Sequence, residues 1–260
     1  MTSESTLLLE AVDEVARLAG AKALSYFGKS PTVETKSDGS PVTIADRGAE
    51  EAARAWISTR FPGDGIRGEE FGQSDSHARR TWIIDPIDGT KSFVHGVPLW
   101  GTLIAVADDD QVLAGAAFFP ALNEMVAAVV GGGAWHNGAR CQVSGVSSIE
   151  QSLVLTTGTQ FRHAPERRTD FDRLASRASV SRTWGDCYGY LLVATGRAEV
   201  MIDATLNDWD AAALFPVIRE AGGVFTDWTG RATPFGGSAI ATNHAVAREA
   251  RALLGIESAE

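Results

Sequence analysis

Trp82-Ile83-Ile84-Asp85-Pro86-Ile87-Asp88-Gly89-Thr90-Lys91 decides how the chain is read, because an apolar, strand-forming run ends in two carboxylates, a proline, a glycine and a hydroxyl. Pro86 cannot continue a hydrogen-bonded ladder, and Gly89 can adopt backbone angles closed to other residues. Asp85 and Asp88 are therefore expected to project from a tight turn at a strand end. Hard oxygen ligands this close together suit Mg²⁺, which takes one or two carboxylates and keeps water or substrate phosphate in its other positions. The plainer alternative is an aspartate-rich turn that satisfies its own backbone amides.

Two further acidic segments widen the reading. Gly68-Glu69-Glu70 follows Phe61-Pro62-Gly63-Asp64-Gly65 and Ile66, which puts two carboxylates at another strand-to-turn junction. Asn207-Asp208-Trp209-Asp210 precedes the helical apolar pattern Ala213, Leu214, Val217, Ile218, Ala221. Taken alone, Asp210 reads as a residue of that helix's N-terminus rather than as a ligand.

The whole chain has 260 residues, 44% of them hydrophobic, enough for a substantial core in one globular unit. The polar stretch from Ser144 to Ser152 divides it into an N-terminal half, 1–145, and a C-terminal half, 146–260. A formal charge of −10 argues against a nucleic-acid partner, since phosphate-backbone binding draws on Lys and Arg. Met1 to Glu10 lacks a basic region and no apolar run reaches membrane-spanning length, so the expectation is a cytoplasmic protein with no membrane partner. Two cysteines and five histidines show neither a disulfide framework nor zinc spacing.

Leu8, Val12, Val15, Ala19, Ala23 and Tyr26 predict a long amphipathic helix, and Thr43 to Phe61 a second. Strand-like runs at Thr81–Ile84, Leu99–Ala107, Val112–Phe119 and Glu124–Val130 predict an antiparallel sheet, with Asp108-Asp109-Asp110 in a solvated hairpin loop. The second half alternates: strand Leu153–Thr156, helices Arg167–Ala178 and Tyr188–Thr195, strand Val200–Ile202, helix Asp210–Ala221, strands at Val224–Thr226 and Ala239–Ala241, and a last helix Ala245–Leu254. Alternation of this kind predicts a mixed or parallel sheet. With acids from both halves, an active site is expected in the crevice between them.

Five ordered motifs resemble the inositol monophosphatase family of Mg²⁺-dependent, lithium-sensitive phosphatases. They are Lys36 with Ser40-Pro41-Val42-Thr43-Ile44-Ala45-Asp46; Gly68-Glu69-Glu70; Asp85-Pro86-Ile87-Asp88-Gly89-Thr90; Gly131-Gly132-Gly133-Ala134-Trp135-His136-Asn137-Gly138; and Trp209-Asp210-Ala211-Ala212-Ala213 through Glu220-Ala221-Gly222-Gly223. The resemblance implies a mixed α/β fold, a layered αβαβα sandwich, and a homodimer. It implies that Glu69, Asp85, the carbonyl of Ile87, Asp88 and Asp210 hold about two or three Mg²⁺ ions per site. It further implies that Thr90, with Glu69 and Asp46, orients the attacking water, and that the amides of Gly89 and Thr90 cradle phosphate. Lys36, in a Gly/Ser/Pro-bearing loop, would act as a more distant point charge or lie in an exposed hairpin. The assignment is chemically coherent: an anionic site meeting a phosphate dianion needs cations, and phosphoryl transfer asks for positioning and charge neutralisation more than a nucleophilic side chain.

The small-molecule phosphate ester is harder to read. Arg182-Thr183-Trp184-Gly185-Asp186-Cys187-Tyr188-Gly189-Tyr190 and Ile202-Asp203 resemble the histidinol-phosphate phosphatase branch of the family, whereas inositol phosphatases usually carry a small residue at the position of Asp186. Asp186 and Asp203 suit the ammonium and imidazole of histidinol phosphate. Asp186 could equally cap the following helix, and Asp203 could bind a sugar hydroxyl. One of Tyr188 and Tyr190 should be packing, and Arg182 could touch phosphate, neutralise nearby acids or make a surface ion pair. Histidinol-phosphate hydrolysis in histidine synthesis is the leading reading; an inositol or broad sugar-phosphate monoesterase is the alternative. A bisphosphate nucleotidase lacks a basic cluster for its second phosphate, and a metal-binding scaffold would not need Glu69 and Thr90.

Overall fold

The computed structural model describes residues 2–29, 33–35, 41–74 and 78–256. Helix α1 (Ser3–Leu24) opens where the Thr2 hydroxyl accepts a hydrogen bond from the Ser5 amide, and it buries Leu8, Val12, Val15 and Ala19 at helical spacing. Strands β1 (Val33–Thr35) and β2 (Pro41–Thr43) pair antiparallel. Helix α2 (Ile44–Arg60) starts in a capping box: the Thr43 hydroxyl accepts from the Ala45 amide, while Asp46 Oδ2 accepts from both the amide and the hydroxyl of Thr43, each at 2.7 Å. The two helices pack on each other, and buried alanines such as Ala16, Ala19, Ala49 and Ala53 permit a close approach.

Next in the chain come β3 (Gly65–Gly68), β4 (Gly72–Gln73), β5 (Arg80–Asp88), α3 (Thr90–Val94), β6 (Gly101–Asp108), β7 (Gln111–Phe119), β8 (Glu124–Val129), β9 (Gly133–His136) and β10 (Ala139–Arg140). Among the described residues these strands make an eight-stranded sheet in the order β10-β9-β8-β7-β6-β5-β3-β4. It is antiparallel except where β3 runs parallel to β5. The second half contributes β11 (Leu153–Thr156), α4 (Arg168–Arg177), β12 (Val180–Arg182), α5 (Asp186–Ala194), β13 (Val200–Asp203), α6 (Asp208–Ala212), α7 (Leu214–Glu220), β14 (Val224–Thr226), β15 (Ala239–Thr242) and α8 (Ala247–Leu253). Its sheet, in the order β12-β11-β13-β15-β14, is mixed: β11 is parallel to both neighbours and β15 antiparallel to both of its own.

Alternation along the strands builds the layers. Trp82, Ile84, Ile104 and Val106 face α1 and α2, while Ile83, Leu103 and Phe119 face the opposite way into a core shared with α5, α7 and the near face of the small sheet. On the far face of that sheet, Val154, Val200 and Ile202 pack against Phe171 and Leu174 of α4 and Ala250 of α8. The result is the expected αβαβα sandwich. The central strands of both sheets are covered on both faces, so β6, β8, β13 and β15 are nearly continuous apolar runs, while the edge strands β4, β10 and β12 are largely exposed.

Three elements depart from expectation. The helix expected over Asp210–Ala221 is two helices broken at Ala213, because Pro216 has no amide to donate and its ring would crowd the carbonyl of residue 212. The helix expected from Tyr188 begins at Asp186, which holds a left-handed φ of 49°. Strand β5 does not stop at Ile84 but pairs with β6 as far as Asp88, with an irregularity between Asp85 and Asp88. Pro86 sits in that irregularity, beyond Ile84, the last residue of β5 paired to β3, so its missing amide breaks no ladder bond there.

Candidate active site

The end of β5 and the start of α6 bring carboxylates from the two halves together. Ligand-capable oxygens of Asp85, Asp88 and Asp210 lie within 4.8 Å of one another. Each aspartate is also held locally. Asp85 Oδ1 accepts the Ile87 amide at 3.0 Å, Asp88 Oδ2 accepts the Cys187 amide at the start of α5, and Asp210 Oδ2 accepts the Asn207 amide at 2.9 Å and its side-chain amide at 3.2 Å. The turn and helix-start readings of these residues are therefore real, and the same bonds aim the carboxylates at one point.

Burial pushes Asp85 and Asp88 well above the usual carboxylate range, and neighbouring negative charge pushes the same way: Glu69, Asp88 and Asp210 on Asp85, and Asp186 and Asp210 on Asp88. Asp210 is raised to about 6, chiefly by burial and partly restrained by the Asn207 amide. Three desolvated carboxylates that repel one another form a set of hard oxygens short of positive charge, which is the donor chemistry that Mg²⁺ takes.

Glu69 stands in the turn after β3, whose backbone is tied to β5 by a 3.1 Å hydrogen bond from its amide to the Ile84 carbonyl. Glu69, Ile87, Gly89 and Thr90 line a cavity of about 240 Å³ together with the three aspartates. The Thr90 hydroxyl donates to the Ile87 carbonyl at 3.0 Å. Gly89 precedes α3 with φ 84°, and a Cβ there would lie 3.1 Å from the Leu99 carbonyl, so both conformation and space call for glycine. Asp46 is buried on α2. Its Oδ2 is engaged by Thr43, and its Oδ1 has no partner among the described residues. Burial raises it, and the charge of Glu69 adds to the rise. Lys36 lies outside the described residues.

A second cavity of about 620 Å³ shares Asp88, Lys91, Asp186 and Asp210 with the first. Asp203, at the end of β13, lines it; burial raises this carboxyl to about 6 against hydrogen bonds from Thr157 and Tyr190. Asp186, whose amide donates to the Thr157 hydroxyl at 2.8 Å, is raised to about 7 by burial and then by Asp203 and Asp210, while Lys91 opposes the rise. Tyr188 is a packing residue, edge-on to Phe119, whereas Tyr190 is buried against Phe225 and also hydrogen-bonds Asp203 through its hydroxyl. Arg182 is exposed on the edge strand β12, donates to its neighbour's carbonyl on Ser181, and lines neither cavity. Asp109 turns the β6–β7 hairpin with φ 50°, and Asp108 pairs with Arg79 at 2.7 Å.

Sequence reasoning missed two parts of this wall. Lys91 stands immediately after Thr90, where nothing in the local pattern singles it out. The segment from Gln160 to His163 carried no signal, lying in the irregular connection after β11. No helix among the described residues is long and apolar enough to cross a membrane.

Comparison with known proteins agrees with this geometry. A family model described as the inositol monophosphatase family matches residues 5–255. The chain is 44% identical over 257 residues to a histidinol-phosphatase of Chlorobaculum parvum, covering 98% of each chain. It is 41% identical to a histidinol-phosphatase of Mycobacterium tuberculosis, covering 81% of this chain and 83% of the other. Among solved structures, an inositol monophosphatase from Zymomonas mobilis superposes with a TM-score of 0.87 at 31% identity, covering 98% of this chain and 100% of that one.

Proposed function

The chain belongs to the inositol monophosphatase family, and from that premise we propose that it is a Mg²⁺-dependent phosphate monoester hydrolase that converts histidinol phosphate and water to histidinol and phosphate. The observation that carries the substrate is the pair Asp186 and Asp203: two carboxylates, one at the start of α5 and one at the end of β13, line the larger cavity directly beside the metal-type cluster. An alcohol bearing an ammonium and an imidazole finds charge partners there that a neutral polyol does not need.

Glu69, Asp85, the Ile87 carbonyl, Asp88 and Asp210 would hold the ions. When bound, these supply the positive charge that lets a phosphate dianion enter, and they acidify a water. Gly89 and Thr90 hold the phosphate at the start of α3. Glu69 and the Thr90 hydroxyl orient the attacking water, with Asp46 behind them. The water oxygen forms its bond to phosphorus in line as the bond from phosphorus to the histidinol oxygen breaks, and that oxygen takes up a proton as it leaves. Family likeness supports about two or three ions per site, a homodimer, and work in the cytoplasm within histidine synthesis.

The test is phosphate release from histidinol phosphate, inositol 1-phosphate and fructose 1,6-bisphosphate, each with Mg²⁺ and with chelator. A strong Mg²⁺-dependent preference for histidinol phosphate is expected. Equal or better rates on inositol 1-phosphate would return the protein to the general sugar-phosphate reading.

A further inference from the structure

Glu50 is a fully buried carboxylate to which none of the roles above is given. It lies on α2 one helical turn beyond Asp46, on the same inward face. Its Oε2 accepts the Glu70 amide at 2.8 Å, and its Oε1 accepts the Phe71 amide at 3.2 Å and Arg54 Nε at 2.7 Å. Arg54, a further turn along, donates from Nη2 to the Gly72 carbonyl and lies over the Phe71 ring, 5.9 Å from its centroid. Two side chains of one helix therefore grip the backbone of the turn that carries Glu69. Gly68 completes the fit, since a Cβ there would come within 2.0 Å of Glu50 Oε1.

Burying a carboxylate is unfavourable unless its charge is paired and its oxygens are filled. Here Arg54 pairs the charge and the amides of Glu70 and Phe71 fill the oxygens, with Arg54 itself bound to the Gly72 carbonyl, while the parallel pairing of β3 with β5 holds the turn from its other side. We propose that Glu50, assisted by Arg54, is a positioning residue that fixes Glu69 relative to Asp85 and Asp46. Helix α2 then sets both acidic members of the water-orienting group, Asp46 directly and Glu69 through its backbone. The inference rests on the reading of Glu69 as a metal ligand.

The experiment compares Glu50→Asp, Arg54→Ala, Glu69→Gln and Ile57→Val, the last a fully buried residue of the same helix that controls for general destabilisation. Mg²⁺ binding is read by calorimetric titration of the metal-free protein, and the Mg²⁺ dependence of turnover is read alongside it. Glu50→Asp, one methylene shorter, should raise the Mg²⁺ needed for half-maximal rate by about tenfold or more and weaken calorimetric binding in proportion, the scale on which residues that support ligands act. Arg54→Ala should show a smaller change in the same direction, roughly threefold, and Ile57→Val should lower Tm without moving either Mg²⁺ reading. Folded Glu50→Asp and Arg54→Ala proteins with Mg²⁺ affinity within about twofold of the unmodified chain, beside a Glu69→Gln protein that has lost it, would overturn the positioning role. Unchanged Mg²⁺ binding in Glu69→Gln would instead overturn the ligand reading and the inference with it. Should Glu50→Asp fail to fold, Arg54→Ala decides by the same criterion.

Discussion

The Tyr190 phenol donates a 2.9 Å hydrogen bond to Oδ2 of Asp203, with both side chains buried. The bond joins the helix between the two sheets to the carboxylate in the wall of the larger cavity. Hydrogen bonds to a charged carboxylate hold its pKa down, so the donor from Tyr190 restrains a carboxyl that burial has already raised to about 6. Tyr190→Phe removes that donor, raises Asp203 further and leaves less of its anion near neutrality. The acidic limb of kcat/KM for histidinol phosphate is expected to move up by on the order of half a pH unit to one unit, while the profile for an uncharged phosphate ester stays in place. Profiles that shift together would remove Asp203 from substrate recognition.

Asp203→Asn keeps the shape of the wall and removes its charge. The expected loss in kcat/KM is about tenfold greater for histidinol phosphate than for inositol 1-phosphate, the size of one charge-assisted contact. Equal losses on the two esters would show that Asp203 supports the fold of the wall and does not select the leaving group.

The helices of the first half were legible because their apolar residues recur at three and four, and strands β5 to β8 because each carries an apolar run closed by a turn; β3, β4, β9 and β10 are too short and mixed to announce themselves. The break at Ala213 was legible too, in Pro216, and was passed over because the apolar spacing runs through it. Asp85 and Asp88 were legible as oxygen ligands from their local spacing, whereas Asp210 joined them only through the family motifs, since its local reading is a helix start and that bond exists. Glu50 was not legible at all. Its spacings from Asp46 and Arg54 are those of any residues on one helix face, and its other partners are backbone amides about twenty residues away, which no side-chain pattern announces.

The repelling carboxylates give the metal-free protein a definite pH dependence. Asp85 and Asp88 stand well above the ordinary 3.8, and Asp210 is raised to about 6, burial being the first cause in each. A carboxyl with a raised folded pKa contributes stability that is full below its unfolded value and is lost as pH climbs through the folded one. In chelator, Tm should fall from about pH 4 upward as the three carboxyls ionise, whereas Mg²⁺ should stabilise most at the alkaline end by binding only the folded, ionised cluster. Asp85→Asn should raise Tm in chelator near pH 8 and shrink the Mg²⁺ shift. A Mg²⁺ shift of equal size at about pH 5 and pH 8 would contradict a cluster of this kind.

Asp88→Asn preserves volume and can still accept the Cys187 amide, so the protein should fold while turnover drops by on the order of a hundredfold or more. Thr90→Ala should lower kcat by about a hundredfold with KM little changed, because it disturbs the attacking water and not the grip on substrate. Steady-state rates at saturating Mg²⁺ check both, and near-normal turnover in Asp88→Asn would take that residue out of the ligand set.

Arg251 on α8 is a buried guanidinium whose hydrogen-bond partners among the described residues are all neutral: the hydroxyls of Thr226 and Thr242 at 3.0 and 3.1 Å, and the carbonyls of Ile240 at 3.0 Å, Ala247 at 3.1 Å and Val224 at 3.4 Å. Burial without a carboxylate lowers its pKa to about 10, which leaves it charged at neutral pH. Its planar fork ties α8 to β14 and β15, so Arg251→Ala strands several buried acceptors at once. Unfolding in urea should show a loss of about 2–3 kcal/mol, and Arg251→Lys should recover part of it, because an ammonium keeps the charge but cannot reach all five oxygens. Helix α8 lies in the outermost layer, on the face of the small sheet away from α5 and α7, so kcat/KM per folded molecule should be unchanged. A fall in kcat/KM with urea stability intact would mean that the small sheet transmits a constraint to Asp203, whose strand pairs directly with β15.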